Sequence, residues 1–241
     1  MSARVSVLMP FKDAERFVGL AATSLARQTY QDFLVVAVDD NSSDMSRAIL
    51  SSILKDKVKF VNTSGVGVTK ALNAGLKECD GEFVARMDAD DESLPERLER
   101  QVSFLDANED VGVLGTRFLS MDEGLVNLIW DNHDIPLDHD GIRIKMVTSC
   151  CIGHPTVMAR TDVLKSLGGY DESDKYKAVE DYELWLRALA KGVRFANLPD
   201  VLLRHRVHGS QVSKVLSDIQ ERNTNSLRQE YRFVATRPTP H

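Results

Sequence analysis

The amino-acid sequence predicts a doubly wound α/β domain: a mostly parallel sheet, regular in its N-terminal half and less regular beyond it. Three observations lead there. Short continuous apolar runs alternate with stretches whose apolar residues recur at a helical period, the pattern of parallel strands buried on both faces. Polar clusters at Pro10–Asp13, Asp39–Ser43 and Asp88–Asp91 close three of those runs. The chain of 241 residues is 43% apolar and 27% charged. That is ordinary globular usage and leaves disorder, collagen and coiled coil as poor descriptions.

The elements follow in order. Val5–Met9 is a strand closed by Pro10, and Glu15–Arg27 carries Phe17, Val18, Ala21, Ala22 and Leu25 at helical spacing. Phe33–Val38 is a β-rich run ending in Asp39-Asp40-Asn41-Ser42-Ser43, a turn from which a Ser or Asp can cap a helix over Met45–Leu54. Val58–Val61 is a third strand, Thr69–Glu78 a third helix and Phe83–Met87 a fourth strand running into Asp88-Ala89-Asp90-Asp91. A helix over Leu94–Asn108 has Pro95 in its first turn, where proline is tolerated, and Val111–Leu114 follows as a strand. Residues 119–150 read as a long loop with a short helix near Ile142–Val147. His154–Met158 is strand-like, Gly168–Asp171 a turn, Val179–Ala190 a helix, and Val193–Ala196 and Val201–Leu203 short strands. A polar helical tail runs from Val212 to Arg228. Ligands of such sheets sit outside the carboxyl ends of the strands, so the three polar clusters are expected to line one crevice.

At about 100–200 residues per domain, the chain is expected to be one domain over 1–213, in a first half (1–118) and a second half (119–213), with a tail (214–241). The 30 Lys+Arg against 36 Asp+Glu give a net charge of −6, which argues against a nucleic-acid partner. Val5–Met9 is too short for a secretory apolar region, and Phe33–Val38 falls far short of the ~20 residues of a spanning helix. The expectation is therefore a soluble, cytoplasmic chain. Its cysteines, Cys79, Cys150 and Cys151, form no disulfide framework and read as small buried apolar residues.

Three carboxylates within Asp88–Asp91 repel one another unless a cation or donors stand between them. Hard oxygen ligands of this kind suit Mg2+ or Mn2+; a solvated turn capping the next helix is the alternative. Asp39-Asp40 offers acceptors for a sugar hydroxyl or a base N–H, or else a helix cap. Glu180-Asp181 opens a helix, where acidic residues are favoured by the dipole but can also serve as a general base. His154, His205 and His208 are candidates for metal or diphosphate contact, and Arg204–His208 concentrates cationic donors suited to an anion. Gly65-Val66-Gly67 lacks the third glycine of a dinucleotide fingerprint, because residue 70 is Lys.

Val5–Pro10, Val38–Asp44, Gly81–Asp91 and Val179–Arg187, in this order and spacing, resemble the family 2 glycosyltransferases of the GT-A fold, from about residue 4 to about residue 213. Asn73-Ala74-Gly75, His154-Pro155-Thr156 and Gly169-Tyr170-Asp171 resemble family positions too. The resemblance implies inverting transfer of a sugar from a nucleotide sugar, most often a UDP-sugar, to an acceptor hydroxyl, with Mn2+ or Mg2+ as cofactor. It implies that Pro10, Asp13, Asp40, Lys70, Arg86 and Asp88 bind the nucleotide sugar. By the same resemblance Asp90 and His208 would hold the metal and Asp181 would deprotonate the acceptor. Asp13 departs from the family, which commonly has Asn there. The implied partners are the nucleotide-sugar donor and a saccharide or lipid-linked acceptor, with peripheral contact at the inner membrane face, for which Lys214, Arg222 and Arg228 of the tail are candidates.

Three rival functions are weaker. A glycoside hydrolase also uses two carboxylates but needs no Asp-x-Asp cation site. A nucleotidyltransferase would want a Gly-rich, Lys/Arg-bearing loop after the first strand, which Pro10–Asp13 does not supply. A non-catalytic sugar-nucleotide-binding subunit would have no need of Asp88, Asp90 and Asp181 together.

Overall fold

The structure is a computed structural model that describes residues 3–209, 211 and 215–236. Strands β1 (Val5–Phe11), β2 (Phe33–Asp39), β3 (Val58–Asn62) and β4 (Phe83–Arg86) lie in the order β3-β2-β1-β4, all parallel. They are joined by helices α1 (Val18–Ala26), α2 (Ser46–Leu54) and α3 (Val68–Lys77). Side chains alternate across each strand, so β1 sends Val5, Val7 and Met9 into one core with α1 and α2, and Leu8 into the other with α3. That two-sided burial is why the strands read as unbroken apolar runs.

The C-terminal half comprises β5 (Glu92–Ser93), α4 (Arg97–Ala107), β6 (Val111–Met121), β7 (Leu128–Asp131), α5 (His139–Met146), β8 (Met158–Arg160), α6 (Thr161–Ser166), α7 (Glu180–Ala190), β9 (Arg194–Arg206) and α8 (Ser217–Glu230). The sheet continues β4-β8-β6-β9-β5, with β8 antiparallel to both β4 and β6 and with β6 parallel to β9. The expected doubly wound α/β fold is thus present, and β8 makes its second half mixed.

Four expectations shift. Pro95 lies in the turn before α4 rather than inside it, because the chain first spends Glu92 and Ser93 pairing with β9. His154–Thr156 is a 3-10 turn, and the strand begins at Met158; Pro155 has a fixed φ and no N–H for a ladder, which suits a turn. The region 119–150 is more regular than expected. β6 runs on to Met121 and turns back as β7, and α5 starts where the Asp138 carboxylate accepts the Gly141 N–H at 2.8 Å. The two short strands after Gly192 are one, β9, which absorbs Pro199 and Asp200 through register shifts against β6. In the tail, α8 begins at Ser217 and buries Leu227, while residues 212–214, including the membrane candidate Lys214, lie outside the described residues. Among the described residues no helix is long and apolar enough to cross a membrane.

The helix α3 crosses β1 and β2 closely enough that a Cβ on Gly75 would overlap Leu8 and Val38. Gly75→Ala should therefore destabilise the fold by about 1–3 kcal/mol, despite alanine's better helix propensity, with the loss measured by urea unfolding; an unchanged midpoint would show that the sheet gives way freely.

Candidate active site

The loops after β1 and β2 meet as the topology requires. Asp13, at φ 45°, accepts the Ser43 N–H at 2.8 Å and its hydroxyl at 3.2 Å, and the Asp13 N–H donates to Ser42 Oγ at 3.1 Å. Pro10 is half-buried and pairs in register with Val38. Asp39 is buried and accepts the Ser42 N–H at 2.8 Å.

Asp40 is also buried and already engaged within the fold. It accepts the Thr63 hydroxyl at 2.5 Å, the Val66 N–H at 2.8 Å and the Gly67 N–H at 2.9 Å. Gly65 and Gly67 have φ of 79° and 88°, a region glycine enters without strain. The glycine pair that is not a dinucleotide signature is thus the turn that aims two N–H groups at Asp40. Burial opposes ionisation of Asp40, but these donors and Lys12 outweigh it and hold the carboxyl below its usual range. Lys70 is exposed in the first turn of α3. The cation acting on Asp40 is Lys12 of the Pro10–Asp13 loop, which the sequence reading passed over.

The second group of residues stands at the end of β4. Arg86 is buried and donates to Asp88 Oδ1 at 2.7 Å, while its Nε and Nη1 are buried without a partner. Burial opposes ionisation of Asp88, but the Arg86 guanidinium holds it below its usual value. Asp90 Oδ2 lies 2.8 Å from His208 Nε2, and burial followed by the Asp88 charge raises the Asp90 pKa. Asp91 is fully buried; one oxygen accepts the Arg206 N–H at 2.9 Å and the other has no partner. One ligand atom from each of Asp88, Asp90 and Asp91 lies within 4.8 Å of the others. Three hard carboxylate ligands, with one Asp91 oxygen left unpartnered among the described residues, fit a divalent cation of the Mg2+ or Mn2+ kind. Asp91 was legible only as part of the acidic run, because its burial depends on β9.

The basic segment Arg204–His208 behaves differently from expectation. Arg204 pairs with Glu92 at 3.0 Å. Arg206 donates to the Asp90 carbonyl at 2.6 Å and to the Glu123 carbonyl, and stacks over Phe17 at 4.7 Å. Both arginines serve the scaffold. His208 packs on the Phe17 ring at 4.7 Å, which brings the segment after β1 beside the acidic turn. His205 sits between Phe118 and Gln211, and burial lowers its pKa. His154 lies 2.8 Å from the Tyr170 hydroxyl, and burial with the nearby Arg86 charge pushes it well below its usual value, so it is neutral. Of the cysteines, Cys79 and Cys151 are buried as expected, whereas Cys150 is exposed.

Asp181 and Glu180 open α7. Asp181 accepts the Tyr182 N–H at 2.8 Å, and burial raises its pKa. Burial pushes Glu180 up to about 7, with the Asp181 charge adding to it, and its Oε2 has no partner. Arg86 and Asp88 both act electrostatically on Asp181. The acidic turn and the start of α7, nearly a hundred residues apart in the chain, are therefore both within electrostatic reach of Arg86.

Asp40 sets a pH test. Its folded pKa is depressed, so the stability it contributes is present above its unfolded pKa of about 3.9 and is lost as pH falls through the folded value. Asp40→Asn turns an amide donor toward Val66 and Gly67 or Thr63 and should cost about 1–3 kcal/mol at pH 7. In urea unfolding, the gap between the two proteins should narrow below pH 4; a gap independent of pH would contradict this role.

The family model for glycosyl transferase family 2 matches residues 6–167. The amylovoran biosynthesis glycosyltransferase AmsE of Erwinia amylovora is 36% identical over 198 residues, covering 79% of this chain and 71% of its own. The O-antigen biosynthesis glycosyltransferase WbnJ of Escherichia coli is 30% identical over 233 residues, covering 93% and 88%. Among solved structures, residues 1–349 of S. aureus TarS in complex with UDP align with a TM-score of 0.75 at 23% identity, covering 98% of this chain and 67% of that one. The mannosyltransferase PcManGT of Pyrobaculum calidifontis, in complex with GDP-Man and Mn2+, aligns with a TM-score of 0.71 at 18% identity, covering 98% and 66%. These last two likenesses are of fold. By the family match over most of its length and by these relatives, the chain belongs to glycosyl transferase family 2 and is a glycosyltransferase of the GT-A fold.

Proposed function

We propose that this glycosyltransferase moves a sugar, with inversion, from a UDP-sugar or another nucleotide sugar to an acceptor hydroxyl in the synthesis of a cell-surface polysaccharide or glycolipid. The observation that carries the reading is the cluster of metal-type oxygens from Asp88, Asp90 and Asp91 within 4.8 Å of one another, with Asp88 held by Arg86 at 2.7 Å and a separate carboxylate, Asp181, at the start of α7. The relatives' names, for amylovoran and O-antigen, support a polysaccharide acceptor. The UDP complex of TarS supports the donor class, and the Mn2+ of PcManGT supports the metal.

In this reading Asp90 and His208, with Asp88 and Asp91 beside them, would hold Mn2+ or Mg2+. That ion supplies Lewis-acid neutralisation of the leaving diphosphate. Pro10 and Asp13 border the base, and Asp40, fixed by its three donors, presents its remaining lone pairs to it. Arg86 keeps Asp88 ionised and has two nitrogens, Nε and Nη1, without a partner among the described residues and left for the donor's anionic groups. Asp181 takes the proton from the acceptor hydroxyl. As that O–H bond breaks, the acceptor oxygen bonds to the anomeric carbon from the face opposite the diphosphate, the carbon–phosphate-oxygen bond breaks, and the electron pair leaves with the nucleotide. The division into a nucleotide half, 1–118, and an acceptor half, 119–213, follows from the same assignment, since Asp181 and the irregular segments lie in the second.

Calorimetry and rate measurements separate these roles. Asp181→Asn should leave UDP binding intact and reduce transfer by about 10²–10⁴-fold, while Asp90→Ala should weaken metal-dependent UDP binding. Full turnover by Asp181→Asn would remove Asp181 as the base. Because burial raises the Asp181 pKa and only the ionised form accepts a proton, the rate of the wild-type protein should fall on the acid side at a pH above the usual carboxylate value of about 4. An acid limb at or below that value would contradict the assignment.

A further inference from the structure

Arg97, the first residue of α4, is completely buried and among the described residues pairs with no carboxylate. Its Nη2 donates to the Arg86 carbonyl at 2.6 Å and the Val157 carbonyl at 3.3 Å, its Nε to Gln101 Oε1 at 3.1 Å, and its Nη1 to the Met87 sulfur at 3.5 Å. Gln101 in turn donates to the Thr156 carbonyl at 2.8 Å, so the guanidinium is fixed in place. A buried cation without a contacting anion is costly. If Arg97 only tied carbonyls together, a neutral donor would do so at lower cost. Burial pushes its pKa down to about 9, which still leaves it charged at neutral pH; the Asp91 charge favours the ionised form, the Arg86 charge opposes it, and the Asp88 charge favours it.

We propose that Arg97 is the resident counter-cation of the Asp88–Asp90–Asp91 cluster, a positioning residue that lets the chain fold with the cluster empty of metal. It differs from Arg86, which pairs directly with Asp88 and has N–H groups left over; every bond of Arg97 points into the scaffold. The inference rests on the reading of the cluster as a divalent-metal site. It adds that two kinds of positive charge, one built in and one bound, act on the same carboxylates.

Thermal unfolding of the full chain, in chelator and in Mn2+, tests it. In chelator, Arg97→Met should lower the Tm on the order of 10 °C, and Arg97→Lys, which keeps the charge, should recover most of that loss. Mn2+ should raise the Tm of Arg97→Met by at least about twice the rise seen in the wild type, because the bound cation replaces the missing one. Asp91→Asn should lower the Tm of the wild type but raise that of Arg97→Met, a sign reversal that a purely structural arginine would not produce. If Arg97→Met does not fold, recovery of folding in Asp91→Asn/Arg97→Met carries the same information. Equal damage by Arg97→Lys and Arg97→Met, or no rescue by Asp91→Asn, overturns the proposal. Absence of any Mn2+-induced rise in the wild type removes the metal reading instead, and the chelator measurements then decide the role of Arg97 independently.

Discussion

Charge buried at the carboxyl end of β4 is the constraint to which the rest of the molecule answers. A carboxylate removed from water destabilises the fold unless donors or cations meet it, and three of them stand together at Asp88, Asp90 and Asp91. Each draws on a different part of the chain. Asp88 uses Arg86 of its own strand, Asp90 uses His208 beyond β9, and Asp91 uses the backbone of Arg206 within it. Arg97 of α4 lies under the same strand end. The long strand β9 therefore has a reason to sit where it does beyond apolar packing: it brings donors to the half-buried Asp90 and the fully buried Asp91.

The crevice after β1 and β2 is built by the opposite economy. Its carboxylates are satisfied by neutral backbone and hydroxyl donors close at hand, Ser42 and Ser43 for Asp13 and Asp39, and Thr63, Val66 and Gly67 for Asp40. The loops are thereby held together without a ligand. Such preorganisation leaves little ordering to be done when a ligand binds. The start of α7 differs again. Among the described residues one Glu180 oxygen is buried without a partner, and burial raises the pKa values of both Glu180 and Asp181, a perturbation that marks candidate functional groups.

The doubly wound order, the strand ends and the main acidic positions were legible in the chain, because two-sided burial writes itself as unbroken apolar runs and the turns after them as polar clusters. Pro155 lies in a turn and Pro199 inside β9; whether a proline ends a strand or is absorbed by one depends on the neighbouring strand. Lys70 and Lys12 show the limit on the site. Both were visible as cations after strands, yet nothing local distinguishes the one that acts on Asp40 from the one exposed on α3.

Residue type and spacing thus settled which fold forms and which carboxylates cluster along the chain, since helix and strand periods and strand-end turns are local properties. They could not settle how those carboxylates are ionised. Burial of Asp91, the ionisation of Asp88 beside Arg86, and the nearness of Asp181 to both arise from contacts across up to about a hundred residues. Desolvation and Coulomb interaction depend on distance through space, and folding alone sets that distance.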